Sequence, residues 1–251
     1  MTKPNRSPGC LPTSAMLLAA GLGTRLRPLT DTTPKPLIPV AGRTLLDHAL
    51  DRLEDAGVET VVVNVHYLGE SVERHVSARK TPATKISHEE TLLDTGGGIA
   101  KALSLLGNDV FYAVNSDALW LNGYEDTLKR MARLWDDENM DALLLLHSTV
   151  EAYGYTGLGD FVIDPAGALQ RRPECEVAPY LFTGVQILHP RLFENAPEGA
   201  FSLNVLYDRA IDRGRLYGIV HDGEWFHVGT EDGLSETENY LQARYAGIRR
   251  R

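Results

Sequence analysis

The feature that most limits the fold is a strand with no solvent side. Thr60 to Val65, with Val61-Val62-Val63 at its centre, is a β-branched run. Such a run belongs in a parallel sheet buried on both faces. Before it, Thr44 to Ala56 places Leu45, Leu46, Ala49, Leu50 and Leu53 on one helical stripe, with Thr44 suited to the N-cap and Gly57 to the stop. The alternation continues through a helix near Glu70 to Ala78, a strand near Lys85 to His88, a helix over Gly98 to Leu106 and a strand over Val110 to Asn115. The expectation is an α/β chain built on a doubly wound, mostly parallel sheet, with ligands at the C-terminal ends of its strands.

Further along, Tyr124 to Glu138 reads as a helix whose Leu128, Met131, Ala132 and Trp135 face a core, followed by an apolar strand over Ala142 to His147. Past Tyr153 the rhythm changes. Gly154, Gly157 and Gly159, then Phe161-Val162-Ile163, Asp164-Pro165 and Gly167, predict hairpins, so a small β-rich region is expected there. Leu181 to Leu188 reads as a strand, and Leu203 to Arg213 and Glu231 to Tyr245 as helices. The 251 residues contain no internal repeat or long linker and suit one domain over 14–251 behind a flexible tail, residues 1–13. Arg249-Arg250-Arg251 reads as a solvated end.

A net charge of −9 and a pI near 5.4 argue against nonspecific nucleic-acid binding. Cys10 and Cys175 stand far apart without a CxxC spacing, which points away from a disulfide framework or a structural zinc. The opening Met1 to Thr13 lacks the apolar core of a signal peptide, and no run approaches the roughly 18 apolar residues of a membrane span. The expected setting is cytoplasmic, with no nucleic-acid or membrane partner and a monomer or small homo-oligomer.

The chemistry concentrates in two neighbouring stretches. The apolar run Met16 to Ala20 breaks into Gly21-Leu22-Gly23-Thr24-Arg25-Leu26-Arg27-Pro28, and Thr33-Pro34-Lys35-Pro36-Leu37 follows. Glycines let backbone N–H groups approach an anion, and the cations neutralise it, so a polyphosphate suits this loop. A dinucleotide-binding loop would need glycine where Leu26 stands, and a Walker A loop would end in Gly-Lys-Ser/Thr, which is missing here. Asp117 ends Val114-Asn115-Ser116-Asp117 just beyond an apolar strand, where it suits either a metal site or a turn cap. Asp94-Thr95-Gly96-Gly97-Gly98-Ile99 opens a helix, and three glycines there leave backbone donors free for a ligand or simply make a tight turn.

These motifs resemble, almost residue for residue in the first loop, the sugar-1-phosphate nucleotidyltransferase family. The resemblance implies a Rossmann-like nucleotidyltransferase fold and a reaction joining a nucleoside triphosphate to a sugar-1-phosphate with release of pyrophosphate. It implies Arg25, Lys35 and Asp117 as catalytic residues, Arg25 on the β/γ-phosphates and Lys35 on the α-phosphate or the sugar phosphate. Arg27 is as suited to a structural ion pair as to a ligand. Ala20, Gly21, Gly23, Thr24, Gly96, Gly97 and Gly98 are implied to bind the nucleotide. Asn64, Asp160, Gly184 and Arg172 are implied to line the sugar, Arg172 standing where many members carry lysine in Glu-Lys-Pro. Asn64 and His66 end a strand there, though a lone histidine is as often structural.

The chain departs from the family at one metal position. Members carry Trp-x-Asp-Val-Gly-Thr, with that aspartate joining the Asp117 equivalent on Mg²⁺. Here the segment is Trp225-Phe226-His227-Val228-Gly229-Thr230. Imidazole suits Mn²⁺, Co²⁺ or Zn²⁺ better than Mg²⁺. Three readings stay open: His227 binds a softer metal, His227 contacts phosphate, or Asp117 holds Mg²⁺ with waters. Within the family, the compact length, Gly159-Asp160-Phe161 and the run from Phe182 to Phe193 most resemble the branch that joins UTP to N-acetylmuramate-1-phosphate in cell-wall recycling. Mannose- or glucose-1-phosphate nucleotidyl transfer is the alternative, and a non-catalytic nucleotide-sugar sensor a second one.

Overall fold

The computed structural model describes residues 11–248. Most of the 1–13 tail, Cys10 and Arg249-Arg250-Arg251 lie outside the described residues. Thr13 is already tied to the sheet, its carbonyl accepting from the N–H groups of Glu59 and Thr60 at 2.8 and 3.2 Å.

The chain opens with β1 (Ser14–Leu18). The phosphate-type loop follows as three single turns of 3-10 helix at Thr24–Leu26, Leu29–Asp31 and Lys35–Leu37. A two-residue ribbon, β2 (Pro39–Val40) and β3 (Arg43–Thr44), leads into α1 (Leu45–Asp55), where the Thr44 hydroxyl accepts from the Asp47 N–H as the sequence predicts. Then come β4 (Thr60–Val65), α2 (Gly69–Ser77), β5 (Ala83–His88), α3 (Asp94–Leu106) and β6 (Phe111–Asn115). The second half runs β7 (Ala118–Leu121), α4 (Thr127–Leu134), β8 (Ala142–Ser148), β9 (Phe161–Ile163), β10 (Leu169–Arg171) and β11 (Tyr180–Leu188). It closes with α5 (Asn204–Asp212), β12 (Leu216–Val220), β13 (Glu224–His227) and α6 (Glu231–Ile248).

Nine strands form one sheet in the order β10-β9-β11-β6-β1-β4-β5, with β8 pairing β11 and β12. Strands β6, β1, β4 and β5 are mutually parallel, as are β8 and β12, while β11 runs antiparallel between the two groups. The alternation of side chains sorts the core onto two faces. Leu17, Val61, Val63 and Val114 pack with Leu46 and Leu50 of α1, Val72 of α2 and Met131 of α4. Met16, Val62 and Ala113 point the other way, against Ile99 and Ala102 of α3 and Leu206 of α5. The expected doubly wound, mostly parallel sheet is therefore present, with helices on both faces.

Several elements differ from the sequence reading. Helix α4 covers only Thr127–Leu134, because the Asp126 carboxylate caps its start by accepting from the Lys129 N–H, and Trp135 leaves the helical path in an extended conformation. Helix α3 begins at Asp94, so Gly96 to Gly98 sit inside its first turn and not ahead of it. The antiparallel pair β7–β13 stands apart from the main sheet, with Ala118 opposite His227 and Trp120 opposite Trp225. No helix among the described residues is long and apolar enough to cross a membrane.

Candidate active site

Strands β1, β4 and β6 end side by side, and their C-terminal ends open into a cavity of about 370 Å³. Leu18 at the end of β1, Ala20 and Gly21 from the first loop, Lys35 and Pro36, Asn64 near the end of β4, and Asn115, Ser116 and Asp117 at and beyond the end of β6 all line it. Two motifs almost a hundred residues apart in the sequence thus meet because their parent strands are neighbours. A larger groove of about 550 Å³ holds none of the motif residues, and its His147 and His221 rings hydrogen-bond the carbonyls of Gly223 and Leu121.

The glycine loop is braced from within. Gly23 adopts φ +64°, and a Cβ there would stand 2.9 Å from Thr30 Cγ2, so the loop closes on itself only with glycine at this position. The Thr30 hydroxyl donates to the Gly23 carbonyl at 2.8 Å, and Tyr67 Oη donates to the Thr30 carbonyl at 3.1 Å. Thr24 and Arg25 are exposed on the first 3-10 turn. Arg25 makes no ion pair among the described residues. Arg27 does, with Asp31 at 3.3 Å, which is the structural role left open for it.

Lys35 Nζ donates to Asp117 Oδ2 at 2.5 Å, with the two side chains 13% and 34% exposed, so the pair is reachable from the cavity. Burial acts to raise the Asp117 carboxyl. The charge and hydrogen bond of Lys35, helped by His227 and the residue's own backbone N–H, outweigh it and hold the carboxyl below its usual value. His227 reaches the same spot because β13 pairs with β7 directly after Asp117. Its imidazole is pushed below its usual value by burial and then by the Arg25 charge, against the pull of Asp117. Arg25, Lys35, Asp117 and His227 are therefore one electrostatically coupled group. An anionic carboxylate and a neutral imidazole form a donor set that suits a divalent cation. No group of three or more His, Cys, Asp or Glu side chains is placed to hold a metal ion among the described residues. A cation here would take its remaining ligands from substrate phosphates and water.

Asn64 is buried and bridges elements: its Oδ1 accepts from the Ala19 N–H at 2.8 Å and its Nδ2 donates to Glu89 Oε1 at 2.7 Å. Glu89 in turn accepts from the Leu93 N–H at 2.9 Å. This chain ties the glycine loop to the start of α3. Glu89, Asp94 and Thr95 also line the cavity, and no spacing in the sequence marks Glu89 for that position. Gly96, Gly97 and Gly98 lie behind this wall. A Cβ on them would meet the Phe201 ring at 2.3 Å, the Gly199 carbonyl at 2.3 Å and Glu89 Oε1 at 2.8 Å respectively. The N–H groups of Gly96 and Gly97 both donate to the Phe201 carbonyl, so the free donors expected there are occupied. Close packing of the helix start against Phe201, Gly199 and Glu89 accounts for the lack of a side chain at these positions.

The four implied sugar residues fall into two settings. Asn64 lines the cavity from the β4 side. Gly184, at φ +84°, lets β11 pass so close to cavity-lining Asn115 that a Cβ would stand 2.8 Å from Asn115 Nδ2. Asp160 lies one step outward, its Oδ2 accepting from the Phe182 N–H at 2.8 Å. Arg172 is the outermost, donating to the carbonyls of Gly159 (3.2 Å), Pro173 (3.3 Å) and Glu176 (2.8 Å). Tyr155, which no motif singles out, stands between: its ring meets His227 edge-on at 6.2 Å, and its hydroxyl accepts from the Gly159 N–H at 3.1 Å.

Comparison with known proteins places this geometry in context. Residues 14–244 match the nucleotidyl transferase family. An N-acetylmuramate alpha-1-phosphate uridylyltransferase of Caulobacter vibrioides is 44% identical over 87% of this chain and 92% of that protein. A protein of the same name from Neisseria meningitidis is 36% identical over 89% of this chain and 96% of its own length. The mannose-1-phosphate guanylyltransferase catalytic subunit beta of Danio rerio is 29% identical over 91% of this chain and 65% of that protein. Among solved structures, UDP-glucose pyrophosphorylase complexed with UDP-glucose superposes with a TM-score of 0.77 at 19% identity, over 92% of this chain and 99% of the other, a likeness of fold.

Proposed function

The chain belongs to the nucleotidyl transferase family, and from that membership we propose that it joins UTP to N-acetylmuramate-1-phosphate, giving UDP-N-acetylmuramate and pyrophosphate in cell-wall recycling. The observation that carries this reading is the coupling of Arg25 and His227 to Lys35 and Asp117, the pair that lines the cavity, in a chain 44% identical to a uridylyltransferase of that specificity.

The attacking group is an oxygen of the sugar phosphate, already ionised near neutral pH, so no general base is needed. That oxygen bonds to the α-phosphorus as the bond from the α-phosphorus to the bridging oxygen breaks, and pyrophosphate leaves. Catalysis then consists of bringing two anions into line and stabilising the leaving charge. Lys35 has three N–H donors, of which Asp117 occupies one, leaving two for phosphate oxygens. Arg25 stands exposed on the loop, makes no ion pair among the described residues, and is available to the β- and γ-phosphates. Asp117 and His227 are the residues that would hold a divalent cation, whose charge offsets that of the transferring phosphate; Mg²⁺ is the family expectation and Mn²⁺ suits the imidazole. Ala20, Gly21, Gly23 and Thr24 line the triphosphate side, and Asn64, Gly184, Asp160 and Arg172 the sugar side. The acidic composition and two cysteines outside any pairing motif support a cytoplasmic setting.

Guanylyl transfer to mannose-1-phosphate is the second reading, favoured by the 29% identical relative named above. The deciding assay is pyrophosphate release from UTP or GTP with N-acetylmuramate-, mannose- and glucose-1-phosphate, in Mg²⁺ and in Mn²⁺. Release confined to UTP with the muramate sugar upholds the proposal. Release with GTP and mannose-1-phosphate replaces the substrates and keeps the mechanism, and no release with any pair leaves a nucleotide-sugar sensor.

A further inference from the structure

Two adjacent arginines at the β10 edge are treated differently by the fold. Arg171 is ion-paired to Asp208 at 2.7 Å and lies over the Phe161 ring at 4.9 Å. Arg172 meets no carboxylate within ion-pair distance among the described residues. Its Nε and Nη1 are spent on three backbone carbonyls, while both N–H groups of Nη2 have no partner there. Three carbonyls fix the guanidinium in place and leave its charge uncompensated, half-buried in a wall of the protein. A held but unpaired guanidinium is suited to a carboxylate or phosphate brought from outside.

Two contact routes place this cation on the sugar side. From the catalytic group, His227 meets the Tyr155 ring, the Tyr155 hydroxyl holds the Gly159 N–H, and the Gly159 carbonyl holds Arg172. From the cavity, Asn115 meets Gly184, the nearby Phe182 N–H binds Asp160, and the Asp160 carbonyl accepts from the Arg172 backbone N–H at 3.0 Å. The Tyr155 ring and a peptide unit therefore stand between Arg172 and the residues that handle phosphate. With those groups between them, the group met by Arg172 belongs to the sugar's own substituents and not to its phosphate.

We propose that Arg172 is a specificity-determining residue that recognises a carboxylate substituent on the sugar, making the chain selective for an acidic sugar-1-phosphate. The proposal rests on the substrate reading above, since N-acetylmuramate differs from N-acetylglucosamine by a carboxylate-bearing ether. Asp160 and Glu176 share this wall, but neither carboxylate makes an ion pair with the Arg172 guanidinium among the described residues: Asp160 accepts from the Phe182 N–H, and Glu176 meets Arg172 through its backbone carbonyl.

The test compares N-acetylmuramate-1-phosphate with N-acetylglucosamine-1-phosphate, which shares ring, acetamide and phosphate but lacks the carboxylate. Steady-state constants and titration calorimetry with a non-reactive UTP analogue are measured for the unmodified chain, Arg172→Ala and Arg172→Lys. A charge-assisted contact of this kind gives a roughly 10- to 100-fold fall in preference for the acidic sugar in Arg172→Ala, carried by KM and by Kd, with part of it restored in Arg172→Lys. Equal losses for both sugars overturn the proposal and assign Arg172 to the shared phosphate or to loop structure. If the unmodified chain takes up neither the acidic sugar in turnover nor in the titration, the substrate reading fails and the proposal with it, an outcome visible before any variant is made.

Discussion

At the scale of single residues, the site works by assembling opposite charges that compensate one another. Asp117 remains ionised because Lys35 sits 2.5 Å away, and His227 remains neutral because it is buried beside Arg25. Replacing Asp117 with Ala removes an anchor for Lys35 and, on the proposed function, a ligand of the divalent cation as well. Its kcat in pyrophosphate release is expected to fall at least ~100-fold, with circular dichroism unchanged; near-normal turnover would remove Asp117 from the mechanism. Substituting His227→Asp restores the family's carboxylate. The ratio of kcat/KM in Mg²⁺ to that in Mn²⁺ is expected to rise about tenfold or more, and an unmoved ratio would show that His227 does not touch the cation. Arg25, Lys35, Asp117 and His227 were readable in the sequence because each sits in a contiguous motif with a fixed frame. Glu89 and Tyr155 were not, since their places depend on which loops fold against one another.

At the scale of elements, the sequence reading succeeded where periodicity is strong and failed where packing overrides it. The β-branched run from Thr60 to Val65 became a strand with those same bounds, and the Thr44 cap and apolar stripe delivered α1. Helix α4 ended early at Trp135, and β7 and β13 were unread because four-residue strands at the rim carry little pattern of their own. The triple glycine of α3 is the instructive case: it signals a close approach, but the approaching groups are Phe201 and the Gly199 carbonyl. Gly97→Ala would force a methyl against a backbone carbonyl 2.3 Å away, which neither a rotamer change nor a ring flip relieves. The expected cost is about 1–3 kcal/mol, read as a fall in the thermal midpoint of roughly 2–10 °C. A melting curve superposing on that of the unmodified protein would contradict this packing role.

At the scale of the whole molecule, one buried clamp joins the parallel pair β8 and β12 to the antiparallel β11. Asp141 accepts from Arg191 Nε at 2.7 Å and Arg215 Nε at 2.8 Å, linking the start of β8 to the segment after β11 and to the residue before β12. Burial acts to raise this carboxyl, but hydrogen bonds and charge from Arg215 and Arg191 hold it below 3.8. A folded value below the unfolded one means that the unfolded chain binds the proton more readily. The clamp's contribution is therefore complete above about pH 4 and is lost as pH falls through the folded value. Asp141→Asn is expected to lower stability at pH 7 by roughly 2–4 kcal/mol and to flatten the acid side of a plot of thermal midpoint against pH. An acid limb of unchanged slope would count against the clamp. The pairing of Ala118 with His227 has a consequence in time as well as in space. The central strands and most of their helical cover are made before residue 200, yet the site lacks one of its four coupled residues until β13 has been synthesised and has docked beside β7. Activity is then a property the nascent chain acquires late and all at once, so a ribosome-bound fragment can be well folded and still be silent.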